Sequence, residues 1–150
     1  MIYVFLADGF EETEAIAPID MLRRAKLDVK LVGVGTSTPT SSHGIRVTAD
    51  LTEAETKLDS SVQLIVLPGG MPGTLNLEKS PFVQSAIKYC VENGIPVGAI
   101  CAAPSILGKL GLLNVITAVF AGAIVYGISL ISTLDFRKKR RLIKSVGKNL

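Results

Sequence analysis

The chain has 150 residues, two cysteines, no tryptophan and a formal net charge of +3, with 48% hydrophobic residues and a mean hydropathy of +0.44. That is enough chain for one domain with one sizeable core, and its ordinary content of 14 glycines and 7 prolines excludes wholesale disorder. Two unpatterned cysteines exclude a disulfide framework and a cysteine-rich zinc site, which favours a reducing, cytoplasmic setting.

The positive charge is unevenly placed. Residues 135–150 hold seven basic side chains and one acid, whereas the first 134 residues hold nine basic and twelve acidic ones. A nucleic-acid or anionic-membrane partner would therefore belong to the tail, and no nucleic-acid partner is expected of the folded part. The start, MIYVFLADGFEE, lacks the basic flank and small-residue cleavage site of a signal peptide and reads as a first strand.

In chain order, Ile2 to Ala7 is a short apolar run closed by Asp8-Gly9, suiting a buried strand. Glu11 to Lys26 has helical spacing, with acids in the first turn and an apolar stripe of Ile16, Ile19, Met21 and Leu22. Val29 to Val34 is a second strand, followed by a polar loop, a short edge element at Ile45 and Val47, and a brief helix over Leu51 to Leu58. Val62 to Leu67 is a third buried strand ended by Pro68-Gly69-Gly70. Ser80 is placed to cap a helix that has Pro81 at its first position and an apolar face of Phe82, Val83, Ala86, Ile87, Cys90 and Val91. Gly94 ends that helix, Ile95 to Ile100 is the next strand, and a last helix stops near Gly111.

This rhythm predicts an α/β fold with a parallel sheet covered on both faces. Ligands of such sheets sit at the carboxyl ends of the strands. Three distinctive stretches fall there: Asp8 to Glu14, Pro68 to Gly73, and Cys101 to Pro104. At a strand-to-helix turn, Cys101 would meet free amide N–H groups and a helix dipole, which should make its thiol more acidic than a free one. A buried, inert cysteine is the competing reading. The amides of Gly69 and Gly70 could hold an oxyanion together with the N–H of Ala102, or simply form a turn. One of Glu11, Glu12 and Glu14 could face the sheet end and exchange protons with a substrate, although most acids in a first turn serve the dipole and solvent. His43 is the only histidine and lies in a polar loop; no residue spacing suggests a metal site.

Taken together, LADGFEETEAIAPIDMLRRA, LIVLPGGMPGTLNL and VGAICAAPSILGKLGLL strongly resemble the ThiJ/PfpI superfamily, close to its DJ-one-like branch, from Met1 to about Leu113. The resemblance implies a flavodoxin-like sheet with helices on both faces, a homodimer and chemistry without a cofactor. It puts the family's reactive cysteine on Cys101 and its helix-start glutamate on Glu14. The anion-holding amides fall on Gly70 and Ala102, with Gly69 beside them. Arg24 matches an arginine near the dimer interface, and His43 lies in a loop bordering the pocket or that interface. The implied activity is of the glyoxalase or deglycase type on small reactive carbonyls. The alternatives are a non-catalytic redox-sensing or chaperone-like module and, less favoured because no histidine follows His43, a peptidase or amidase.

Beyond Leu113 the resemblance stops. Val115 to Leu134 carries no charged side chain and precedes the basic cluster. Three readings compete: a membrane helix, two buried strands (Val115 to Phe120 and Ile124 to Leu130), or a frame-shifted or truncated end. The organisation expected is a family-like domain over 1–113 and a divergent segment over 114–150.

Overall fold

The computed structural model describes residues 1–112 in full and the backbone of residues 130–132. Ile2–Ala7 forms β1, six residues long and buried throughout. Its side chains alternate between the two faces of the sheet, as the pleat requires. Ile2, Val4 and Leu6 enter one core with Ala15 and Ile19 of α1 (Glu12–Arg24). Tyr3, Phe5 and Ala7 enter the other, where three helices cover the sheet. Leu77 comes from α2 (Gly73–Lys79), Val83, Ala86, Ile87 and Cys90 from α3 (Pro81–Glu92), and Ile106 and Leu107 from α4 (Pro104–Lys109). Each large aliphatic or aromatic side chain so buried contributes roughly 1.5–3 kcal/mol relative to exposure.

The other strands are β2 (Val29–Val34), β3 (Leu51–Thr52), β4 (Leu64–Leu67), β5 (Val97–Ile100) and β6 (Leu130–Ser132). Their order is β3-β2-β1-β4-β5-β6. The first five run parallel, with β1 paired to β2 from Ile2↔Val29 to Ala7↔Val34 and to β4 from Ile2↔Leu64 to Val4↔Val66. This is the flavodoxin-like arrangement expected from the sequence. The chain builds outward from β1 to β3 and then crosses to the other side, so the loops after β1 and β4 meet at the point of reversal. That geometry positions the site.

Several local expectations change. Leu51 to Leu58 is not a helix: Leu51 and Thr52 pair with Val32 and Gly33, and the Glu55 carboxylate then accepts from the Thr52 amide at 2.8 Å to make a turn. Around Ile45 and Val47 the only pairing among the described residues is an isolated bridge between Thr40 and Arg46. On α1, Ala15 and Ile19 make the buried contact, whereas Ile16 and Met21 are 40% and 70% exposed. Helix α2 has no counterpart among the sequence expectations, because Gly-Gly-Met-Pro-Gly reads as punctuation and the helix starts without a side-chain cap. In contrast, Ser80 caps α3 as expected: its hydroxyl oxygen accepts from the Val83 amide at 3.1 Å and its O–H donates to Glu53 at 2.5 Å.

Within the uncharged run of the tail, Leu130–Ser132 pairs antiparallel with Ile100–Gly98. The rest of 113–150 lies outside the described residues, and with it the choice among a membrane helix, buried strands and a frame-shifted end. Among the described residues no helix is long and apolar enough to cross a membrane.

Candidate active site

Three turns converge at the carboxyl ends of β1, β4 and β5. The Glu11 amide donates to the Gly69 carbonyl at 3.0 Å, and the Gly73 amide to the Gly9 carbonyl at 3.1 Å. These bonds tie the β1 and β4 loops into one layer. Cys101 follows directly on β5 with φ +57°, a left-handed conformation uncommon for a residue with a side chain. The turn closes when the Ala103 amide bonds the Ile100 carbonyl at 3.0 Å, and α4 begins one residue later. This strand-turn-helix elbow lifts the side chain clear of the sheet: Cys101 is exposed, while Cys90 is buried on the inner face of α3.

Glu14 sits in the first turn of α1, half-buried. Its amide is held by the carboxylate of the N-cap residue Glu11 at 2.6 Å. Its own Oε2 accepts from the Gly69 amide at 2.9 Å. The Cys101 thiol bonds the same carboxyl group, and the amides of Ala102 and Gly70 bond the sulfur. Gly69 has no side chain for a steric reason: a Cβ there would lie 2.6 Å from Glu14 Oε2 and 2.8 Å from the Cys101 Cβ. The structure therefore brings Cys101, Glu14, Gly69, Gly70 and Ala102 together, with one difference in use. The Gly69 N–H holds Glu14 rather than standing free for a substrate oxygen.

The charge balance on the sulfur runs opposite to the expectation from the helix start. Burial pushes the Cys101 thiol up, the Glu14 hydrogen bond and charge push it further, and the amides of Ala102 and Gly70 pull it part of the way back. The net direction is upward. Helix α4 has only six residues, so it offers a weak dipole against a carboxylate in direct contact. Cys90, with burial alone acting on it, is pushed up to about 12. Mild peroxide should consequently oxidise Cys101 at least about tenfold faster than Cys90, since reaction follows thiolate character and access. Peptide mass spectrometry over a time course measures both, and equal rates would contradict this assignment of the reactive sulfur.

The remaining sequence candidates lie elsewhere. His43 Nδ1 meets Glu12 Oε1 at 2.7 Å on the loop that packs against the start of α1. Arg24 is in the last turn of α1, paired with Asp20 at 2.8 Å. Ten residues of helix put it about 15 Å from Glu14. Ligand atoms of Glu11, Glu12 and His43 come within 4.8 Å of one another, a grouping that sequence spacing did not suggest. Each donor is already engaged locally, Glu11 in capping α1 and Glu12 in holding His43 and Ser42. Sequence reasoning missed the Glu11 cap and the Gly69 contact. The first had a signal, an acid three residues before Glu14 in the manner of a capping box. The second had none, because it joins residues 55 apart in sequence.

The model of the DJ-1/PfpI family matches residues 1–122. Protein DJ-1 homolog B of Arabidopsis thaliana is 41% identical over 109 residues, covering 71% of this chain and 24% of the plant protein. A glutathione-independent glyoxalase of Caenorhabditis elegans is 33% identical over 103 residues, covering 69% of this chain and 54% of the relative. The chain thus spans only part of the length of these relatives. Among solved structures, a DJ-1 superfamily protein from Salmonella typhimurium superposes with a TM-score of 0.71 at 35% identity, over 76% of this chain and 62% of that one. Sheet order, cysteine elbow and family match coincide on the same residues, and the chain belongs to the DJ-1/PfpI family.

Proposed function

We propose that this chain is a cysteine-dependent enzyme that acts without a cofactor on small reactive carbonyls, in the manner of a glyoxalase or deglycase. The observation that carries the reading is the Glu14 carboxyl group, fixed by the Gly69 amide at 2.9 Å and bonded to the Cys101 thiol. A thiol with a raised pKa is not a standing thiolate, so the nucleophile is activated on attack. Sulfur adds to the aldehyde carbon of a 2-oxoaldehyde such as methylglyoxal while its proton passes to Glu14 and on to the new hydroxyl group. The amides of Gly70 and Ala102 steady the charge that develops on the way. Glu14 then takes the proton from the sulfur-bearing carbon and returns it to the neighbouring carbon, while the hydroxyl proton passes to the oxygen of that neighbour, converting the hemithioacetal to a thioester. Water cleaves the thioester, releasing a 2-hydroxy acid and the thiol. No net oxidant is needed, because one carbon is oxidised as its neighbour is reduced.

The test is turnover of methylglyoxal to lactate by the purified chain, with the Cys101→Ala variant as the blank. Turnover above the blank is expected, and none would end the enzymatic reading. The redox-sensing alternative would then rest on the exposure of Cys101. Residues 1–113 carry the proposed activity, with 114–150 as a divergent end.

Association into a homodimer and a cytoplasmic location belong to the same proposal. The outward-facing Ile16 and Met21 of α1, 40% and 70% exposed, offer apolar surface for a second copy. Sedimentation velocity should give twice the chain mass of 15.9 kDa; a monomer at all concentrations would remove the dimer.

A further inference from the structure

A cavity of about 430 Å³ opens at the carboxyl ends of β1, β2 and β3 and is walled by the junction of α2 and α3. It is separate from the cysteine site. Cys101, Glu14, Gly70 and Ala102 do not line it, and β2 lies three strand spacings from β5, about 14 Å. We propose that this cavity binds a small zwitterion, an amine and a carboxylate carried on one molecule.

The charges in the wall are fixed but not neutralised. Glu53 is locked in place: one carboxylate oxygen accepts from the Gly35 amide at 3.0 Å and the other from the Ser80 hydroxyl at 2.5 Å. Asp8 is held by the Thr40 amide at 2.8 Å, and its carbonyl by the Asn76 side-chain amide at 2.8 Å. All of these anchors are uncharged. They orient the two carboxylates without cancelling their charge, and among the described residues neither forms an ion pair. Lys79 lines the same cavity and likewise forms no ion pair among the described residues. Two fixed anions and one uncommitted cation thus border one space.

A simple anion would meet Lys79 but face both carboxylates. A simple amine would meet the carboxylates and leave Lys79 unused. A zwitterion satisfies both ends at once: its ammonium donates to the spare lone pairs of Asp8 and Glu53, and its carboxylate accepts from Lys79. The volume falls in the range of small-molecule sites, which suits an amino acid or a short peptide.

The test is a backbone-amide NMR titration of the full chain with four probes: L-glutamine, n-butylamine, butyrate and glycerol. L-glutamine should give saturable shifts at Asp8, Gly35, Asn76 and Ser80, with a dissociation constant on the order of 1 mM. The single-charge probes should bind at least about tenfold more weakly, the difference made by one lost charged contact. Lys79→Ala, a change at an exposed position, should weaken L-glutamine about tenfold and leave n-butylamine no weaker; Asp8→Asn, which keeps an acceptor for Thr40, should weaken both amines. Cys101→Ala should leave the titration unchanged. Three results would overturn the proposal: no saturation at these amides, equal binding of n-butylamine or glycerol, or loss of binding in Cys101→Ala, which would move the ligand to the other site.

Discussion

Replacing Glu14 by glutamine should lower methylglyoxal turnover about a thousandfold while making the Cys101 thiol more acidic. The two effects have one origin. Glutamine keeps the shape of the side chain, and its carbonyl can still accept from the Gly69 amide, so the elbow stays in place. What goes is the charge beside the sulfur and the ability to carry a proton. In the parent chain burial and the Glu14 carboxylate raise the thiol against the pull of two amides. Without the carboxylate the burial contribution stands almost alone against those amides, and the thiolate forms at lower pH. Alkylation by iodoacetamide as a function of pH should therefore have its midpoint shifted downward in Glu14→Gln, and react faster near neutrality. Turnover nevertheless falls, because no group remains to move the proton between adjacent carbons. A variant that keeps turnover within about tenfold would remove Glu14 from the chemistry, whatever the thiol titration does.

Gly70→Ala should destabilise the fold by roughly 3 kcal/mol and abolish activity as well. Gly70 holds φ at +94°, where a side chain is strained, and the space a Cβ would need is filled. The nearest obstacles are the Glu11 amide nitrogen, the Gly9 carbonyl oxygen at 2.5 Å and the Phe10 carbonyl carbon at 2.7 Å. All three are backbone atoms of the β1 loop, so relief requires parting the two loops that build the site. That movement would break the Glu11 amide bond to Gly69 and withdraw the Gly70 amide from the sulfur. Urea unfolding followed by far-ultraviolet circular dichroism measures the loss, and a change below about 1 kcal/mol would show that the loops can part cheaply.

The elements legible in the sequence are those buried on both faces. β1 and β2 have the bounds their apolar runs suggest, since a strand sandwiched between two helical layers is apolar nearly throughout, the half-buried Lys30 near the start of β2 being the exception. Boundaries slip where backbone bonds delay the start of a strand: the Ile95 amide returns to the Cys90 carbonyl at 2.7 Å, so β5 starts at Val97. The Leu51 to Leu58 segment misleads because its fate is set by strand β2 beside it, which takes Leu51 and Thr52 as an edge. On α1 the inward contact is made partly by Ala15, a residue that weighs little in a hydrophobic pattern, while Ile16 and Met21 point outward. At the site, the residue types are legible from three turn sequences and a family resemblance. The direction of the thiol shift is not, because it depends first on burial in the assembled site and then on a carboxylate that the fold brings from 87 positions earlier in the chain.

The Gly69-Gly70 dipeptide has a mechanical consequence. Its two successive N–H groups point to different clients, the first to the carboxylate of Glu14 and the second to the sulfur of Cys101. Acid and nucleophile are thus both held by one dipeptide with no side chains of its own. A shift of that dipeptide alters both grips together.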